Sequence, residues 1–210
     1  MRRFAGRLPQ LAILFTALLY LAPPANAGSA SKLITELNTV FIGVMQNAKA
    51  LGYESRYKKL EPALAEAYDF AEMTRVATGR QWRSLTDNQK QQLVAAFHDL
   101  SVATYAARFG GFGGGHFEIL GEEPAPAGSV RVNNQIVPAS GEPIRIDYLL
   151  RQTAGQWRVI DVYLKSSVSE LAVRRAEFTG ILAKRGFDGL MADIKAKVSK
   201  LQSEGDSTSS

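Results

Sequence analysis

Residues 144–164 read IRIDYLLRQTAGQWRVIDVYL. Ile144, Ile146, Tyr148 and Leu150 alternate with Arg145, Asp147, Leu149 and Arg151, which is the two-residue period of a strand. In Trp157–Leu164, Ile160, Val162 and Leu164 face one way, and Trp157, Val159 and Tyr163 the other. Apolar residues on both sides predict a strand covered, at least in part, on both faces. The short link Gln152–Gln156 contains Gly155, so the two strands are expected to pair antiparallel.

Working outward, His116–Leu120 and Val130–Val137 read as two further strands. Their connections, Gly121–Ser129 and Pro138–Pro143, carry the Gly and Pro of turns. Before them, Gly110–Gly115 holds five glycines in six residues, which no regular element tolerates at reasonable entropic cost. It predicts a flexible helix-to-strand connector, with Phe112 as a candidate lid residue. A helix-then-strand order is the reverse of a dinucleotide-binding turn.

The flanks are helical. Leu33, Leu37, Val40, Phe41, Val44 and Ala48 recur at helical spacing over Ser31–Ala50, and Gly52 follows as a stop. Arg56–Ala77 reads as two shorter helices. Thr86-Asp87-Asn88-Gln89 is a capping box before a helix ending near Phe109. Ser167-Val168-Ser169-Glu170 reads as a second capping box, for a helix to about Ala183. Gly186 then breaks it before a last helix, Asp188–Leu201. Gln202–Ser210 is polar and Ser-rich and is expected to be disordered. The predicted fold class is α+β, a small four-stranded antiparallel sheet packed against several helices.

The N-terminus reads as an address. Arg2, Arg3 and Arg7 precede the apolar run Leu11–Ala22, Pro23 and Pro24 break it, and Ala25-Asn26-Ala27 is a small-x-small cleavage pattern. Residues 1–27 are therefore expected to be a signal peptide, 28–201 a single domain and 202–210 a polar tail. The chain has 210 residues and a net charge of +5. Three of those charges leave with the leader, so nucleic-acid binding loses its support. An exported protein, soluble outside the cytoplasm, is expected.

Catalytic signatures are scarce. The chain has no Cys and two His, which excludes thiol nucleophiles, disulfides and Cys-built metal sites. No cofactor or metal is expected. His116 with Asp161 is the one tempting acid–base pair. It would serve a hydrolase or isomerase acting on an apolar substrate. Asp147 and Asp161 otherwise suit salt bridges with Arg145, Arg151 or Arg158. Arg174-Arg175 suits a solvated helix face, lipid phosphate or an acidic partner. The aromatic side chains are each, taken singly, core positions. Together they would also line a cavity if helices and sheet do not close fully.

Several runs carry a family resemblance. They are Tyr105-Ala106-Ala107-Arg108-Phe109, Trp157–Val162, Ser166–Ser169, Arg174–Phe178 and Gly186–Leu190. In order and spacing they resemble the MlaC, or toluene-tolerance, family of periplasmic lipid-binding proteins. Asp161–Leu164, Ser169–Ala172, Arg174-Arg175 and Phe109–Phe112 look most like its hopanoid-associated HpnM branch. Ser166 stands where the family usually has Gly. The resemblance implies a non-enzymatic carrier with an apolar lipid cavity. Its cargo would be phospholipid or hopanoid, and its partners an inner-membrane lipid transporter and an outer-membrane complex. By position, Phe97, Tyr105, Phe109 and Phe112 are the helix-side and glycine-side candidates to touch lipid. Val132, Ile146, Tyr148 and Trp157 are the sheet-side candidates, with Phe178 from the following helix.

Overall fold

The computed structural model describes residues 27–207. The signal-peptide reading thus lies outside the described residues, apart from Ala27. The elements are α1 (Ala27–Gln46), α2 (Ala48–Ala67), α3 (Phe70–Thr78), a 3₁₀ turn (Gly79–Ser84), α4 (Asp87–Arg108), β1 (His116–Ala125), β2 (Ser129–Val137), β3 (Ile144–Thr153), β4 (Gln156–Leu164), β5 (Val168–Ser169) and α5 (Glu170–Ser207). The strands form one antiparallel sheet in sequence order, with helices on one side.

The helices begin and end for local reasons. Ile34, Leu37, Phe41 and Val44 on α1 are buried at helical spacing. The expected single helix to Ala50 is corrected: α1 ends at Gln46, and Gly52 breaks α2 with φ 65° and ψ 171°. The Thr86 capping box is complete, with reciprocal bonds between Thr86 and Gln89. Gly186, at φ 68°, interrupts α5 as the sequence predicts.

Two bulges revise the strand reading. The β3–β4 register passes from Leu149↔Asp161 to Leu150↔Val159, which leaves Ile160 as the extra residue. The slip places Val159 and Val162 on the same side, although strict alternation had separated them. A second bulge at Leu120 lets β1 run on to Ala125.

The sheet has five strands rather than four. Lys165 and Ser166 both adopt positive φ, 51° and 59°, and the Ser167 N–H donates to the Leu164 carbonyl at 3.3 Å. This primed turn returns the chain beside β4 and creates β5. It is the position where the resemblance leads one to expect Gly. The second capping box is also shifted. Ser167 donates to Lys165 O, and it is Ser169 whose hydroxyl accepts the Ala172 N–H, at 2.8 Å.

The predicted disordered tail is corrected over residues 202–207, because α5 continues through Ser207, while 208–210 lie outside the described residues. Arg56 accounts for this. Fully buried, it donates to Ala48 O at 3.0 Å, Ala106 O at 2.9 Å and Gly205 O at 3.1 Å. The last two carbonyls lie at the C-terminal ends of α4 and α5, where a cation is favoured. Gly205 itself packs against the Tyr53 ring so closely that a Cβ would collide with it.

Candidate functional site: an apolar cavity with arginines at its mouth

The helix-facing side of the sheet builds the floor of a cavity. The register aligns Val132, Tyr148 and Val162 across β2, β3 and β4. One row outward, Ile146 pairs with Leu164, and a row beyond that Phe117 of β1 pairs with Ile136. Helices α1, α4 and α5 cover this surface without filling it. The empty space is about 850 Å³, part of it open to solvent.

The walls are aromatic. Phe41 of α1 lies 5.0 Å from both the Tyr105 and Phe109 rings and 6.2 Å from Phe117, measured between centroids. Phe97 lies at the inner end and packs edge-on against Phe70 and Phe178. Met73, Val162, Leu164 and Leu171 complete the apolar lining.

Polar groups collect at two levels. At the mouth stand Arg108, Glu170 and Arg174. The Arg174 guanidinium pairs with Glu177 at 2.7 Å. Burial pulls its pKa below the usual value; Glu170 opposes that shift and Arg108 adds to it. Arg108 is exposed and makes no hydrogen bond or ion pair among the described residues. Deeper in, the Tyr68 and Tyr105 hydroxyl oxygens are 2.7 Å apart, and Tyr148 stands beside them. Burial raises the pKa of all three phenols, so they are neutral donors and acceptors.

The candidates from sequence divide clearly. Phe97, Tyr105, Phe109, Ile146 and Tyr148 line the cavity. Four others do not line it. Val132 is buried behind Tyr148, one strand further out, and Phe178 backs Phe97 in the core. Trp157 is buried at the far end of β4, paired with Gln152. Phe112 is 37% exposed in the glycine connector.

Sequence reasoning missed Phe41, Tyr68 and Phe117 as lining residues. Phe41 and Phe117 carry only an ordinary core signal, and Tyr68 sits in the link between α2 and α3. It is placed by the Asp69 N–H bond to Val159 O at 2.9 Å.

The proposed acid–base pair is not assembled. His116 lies on the edge strand β1, three strand spacings from β4, about 14 Å. Asp161 is a helix cap: its carboxylate accepts the Ser169 hydroxyl at 2.6 Å and the backbone N–H groups of Val162 and Leu171 at 2.7 and 3.1 Å. Asp147 meets Arg145 at 3.0 Å, the salt bridge expected from sequence. Among the described residues no cluster of three metal-ligating side chains occurs. No described helix is long and apolar enough to cross a membrane.

This arrangement can hold a hydrocarbon between sheet and helices, with an anionic group at the arginines. The sequence matches the MlaC protein family over residues 35–196. The chain belongs to the MlaC family. The fold agrees with a solved structure of a phospholipid-binding protein from Ralstonia solanacearum in complex with a phospholipid. The two superpose with a TM-score of 0.73 at 20% identity, over 82% of this chain and 98% of that one. At that identity the MlaC likeness establishes the fold, an antiparallel sheet packed against helices.

Proposed function

We propose that this MlaC-family chain is an exported lipid carrier that holds a phospholipid by its acyl chains. The observation that carries the proposal is the cavity: an aromatic pocket between sheet and helices, with Arg108 and Arg174 at its mouth. Moving a chain of about 15 methylenes into water costs on the order of 12 kcal/mol. An apolar pocket offsets that cost, while a shallow ionic mouth lets the head group go. The phospholipid in the Ralstonia solanacearum protein supports the same cargo class.

The leader at residues 1–27 would deliver the protein to the periplasm. There it would act as a monomer between an inner-membrane transporter and an outer-membrane complex. The runs Asp161–Leu164 and Arg174-Arg175, which resemble the HpnM branch, favour hopanoid as a second cargo.

The test is solvent extraction of the purified protein followed by mass spectrometry. Stoichiometric phospholipid is the expected result, and hopanoid in its place would select the second cargo. A lipid-free protein that takes up neither from vesicles would overturn the carrier reading.

A further inference from the structure

Three phenols stand in the cavity about one helical turn below the arginines. Tyr105 precedes Arg108 by three residues on α4, a rise of about 4.5 Å. Tyr68 reaches the same level from the α2–α3 link, and Tyr148 from the centre of the sheet. Each of the three lines the cavity.

Their hydrogen bonds do not close. One proton is shared within the Tyr68–Tyr105 pair, whose oxygens lie 2.7 Å apart. That pair keeps one further hydroxyl proton. Tyr148 is 1% exposed, and its hydroxyl has no hydrogen-bond partner among the described residues. Two donors therefore face the cavity without an acceptor. The Tyr148 hydroxyl is not sealed in protein but open to the cavity, so a ligand acceptor or water can take its proton. A hydrocarbon chain offers them nothing, and the other hydroxyls of the lining, Ser101 and Thr104, are turned to the α4 backbone, donating to Phe97 O and Leu100 O.

We propose that this tyrosine layer is a binding station for the ester carbonyls of an acyl glycerolipid. Tyr148 donates to one carbonyl oxygen, and the free hydroxyl of the Tyr68–Tyr105 pair donates to a second acceptor on the same lipid. In a glycerophospholipid the ester groups lie a few bonds below the phosphate. A phosphodiester between Arg108 and Arg174 therefore brings the esters to the level of Tyr105. The cavity is thus graded: guanidinium for phosphate, phenol for ester, aromatic and aliphatic walls for chain.

This inference rests on the carrier reading and adds a chemical selectivity to it. The probes are diester and diether phosphatidylglycerol with the same head group and chain length, since the ether lacks the carbonyls. Each is offered from vesicles to the purified protein, and bound lipid is counted by native mass spectrometry. The wild-type protein is expected to prefer the diester by roughly fivefold or more, the worth of one neutral hydrogen bond. Tyr148→Phe keeps the ring and removes the donor, and is expected to lower that preference roughly fivefold. The double variant Tyr68→Phe/Tyr105→Phe, which removes the pair's free donor, is expected to act in the same direction, whereas Tyr105→Phe alone leaves the Tyr68 hydroxyl free to donate.

Equal binding of ester and ether by the wild type overturns the proposal, and would mean that water satisfies the phenols. A preference unchanged in both variants overturns it too. If neither lipid binds, the carrier reading itself falls. The wild-type comparison stands even if a variant fails to fold.

Discussion

The Asp161 carboxylate accepts the backbone N–H of Leu171 at 3.1 Å, joining β4 to the first turn of α5. The same carboxylate takes the Ser169 hydroxyl at 2.6 Å, and Ser169 in turn accepts the Ala172 N–H. The helix start is therefore fastened from the sheet side, and with it the wall that carries Leu171 and Arg174. Asp161→Ala leaves buried donors unpaired at a helix N-terminus. The expected loss is about 2–4 kcal/mol, the sum of a lost cap and lost charge-assisted bonds. Urea unfolding measures it, and a loss below about 0.5 kcal/mol would contradict the capping role.

Acid should weaken a different fastening. Glu72 on α3 meets Arg75 at 2.6 Å and Arg151 of β3 at 2.8 Å. The Arg75 hydrogen bond is the largest influence; it and the Arg151 bond outweigh burial and hold the carboxyl at about 2, against an ordinary 4.5. The folded state thus binds this proton less tightly than the unfolded state. The contribution is fully present above pH 4.5 and disappears as pH falls through 2. Glu72→Gln is expected to flatten the acid limb of stability across that window. Denaturation midpoints at several pH values give the comparison, and parallel curves would refute it.

The glycine connector contains one position fixed by space. A Cβ at Gly115 would lie 2.5 Å from Val137 O and 3.0 Å from Pro138 Cα, both backbone-held, while Gly111 and Gly113 have nothing within 4 Å. Gly115→Ala is expected to cost about 1–3 kcal/mol, the range for overpacking. Gly111→Ala or Gly113→Ala should be neutral or stabilise by up to about 1 kcal/mol through the unfolded chain. Thermal melts of the three variants separate these outcomes, and equal effects would remove the distinction.

Lipid retention should depend on Ile146 more than folding does. Ile146 lines the mouth and is only partly buried, so a longer, charged side chain there can reach water. Ile146→Lys is expected to reduce co-purified lipid several-fold while lowering the melting temperature by only a few degrees. Phe178→Ala should do the converse. It would lose about 3–5 kcal/mol of stability from a fully buried site outside the cavity. Full lipid retention in folded Ile146→Lys protein would displace the site from this pocket.

Much of the fold was readable because local signals agreed. The Thr86 box, the Gly186 break and the strand alternation each rest on neighbours in sequence. The features that escaped depend on distant partners. Ile160 becomes a bulge only against Leu150, and residues 202–207 become helix only because Arg56 waits for Gly205. Phe41 and Tyr68 line the cavity by virtue of where helices leave space, which no periodicity encodes. Val132 and Trp157 have the same apolar character as Ile146 and Tyr148. Register and position along the strand alone separate buried packing from cavity wall.

The bond from Arg56 to Gly205 spans 149 residues. A buried guanidinium is tolerable only when its acceptors are in place. The interior is therefore complete only once residue 205 has docked against α2. The same guanidinium ties α2 to the ends of both α4 and α5, the two helices that carry the cavity arginines. Closure of the domain is thus tied to the docking of one residue, Gly205, on a guanidinium 149 positions earlier.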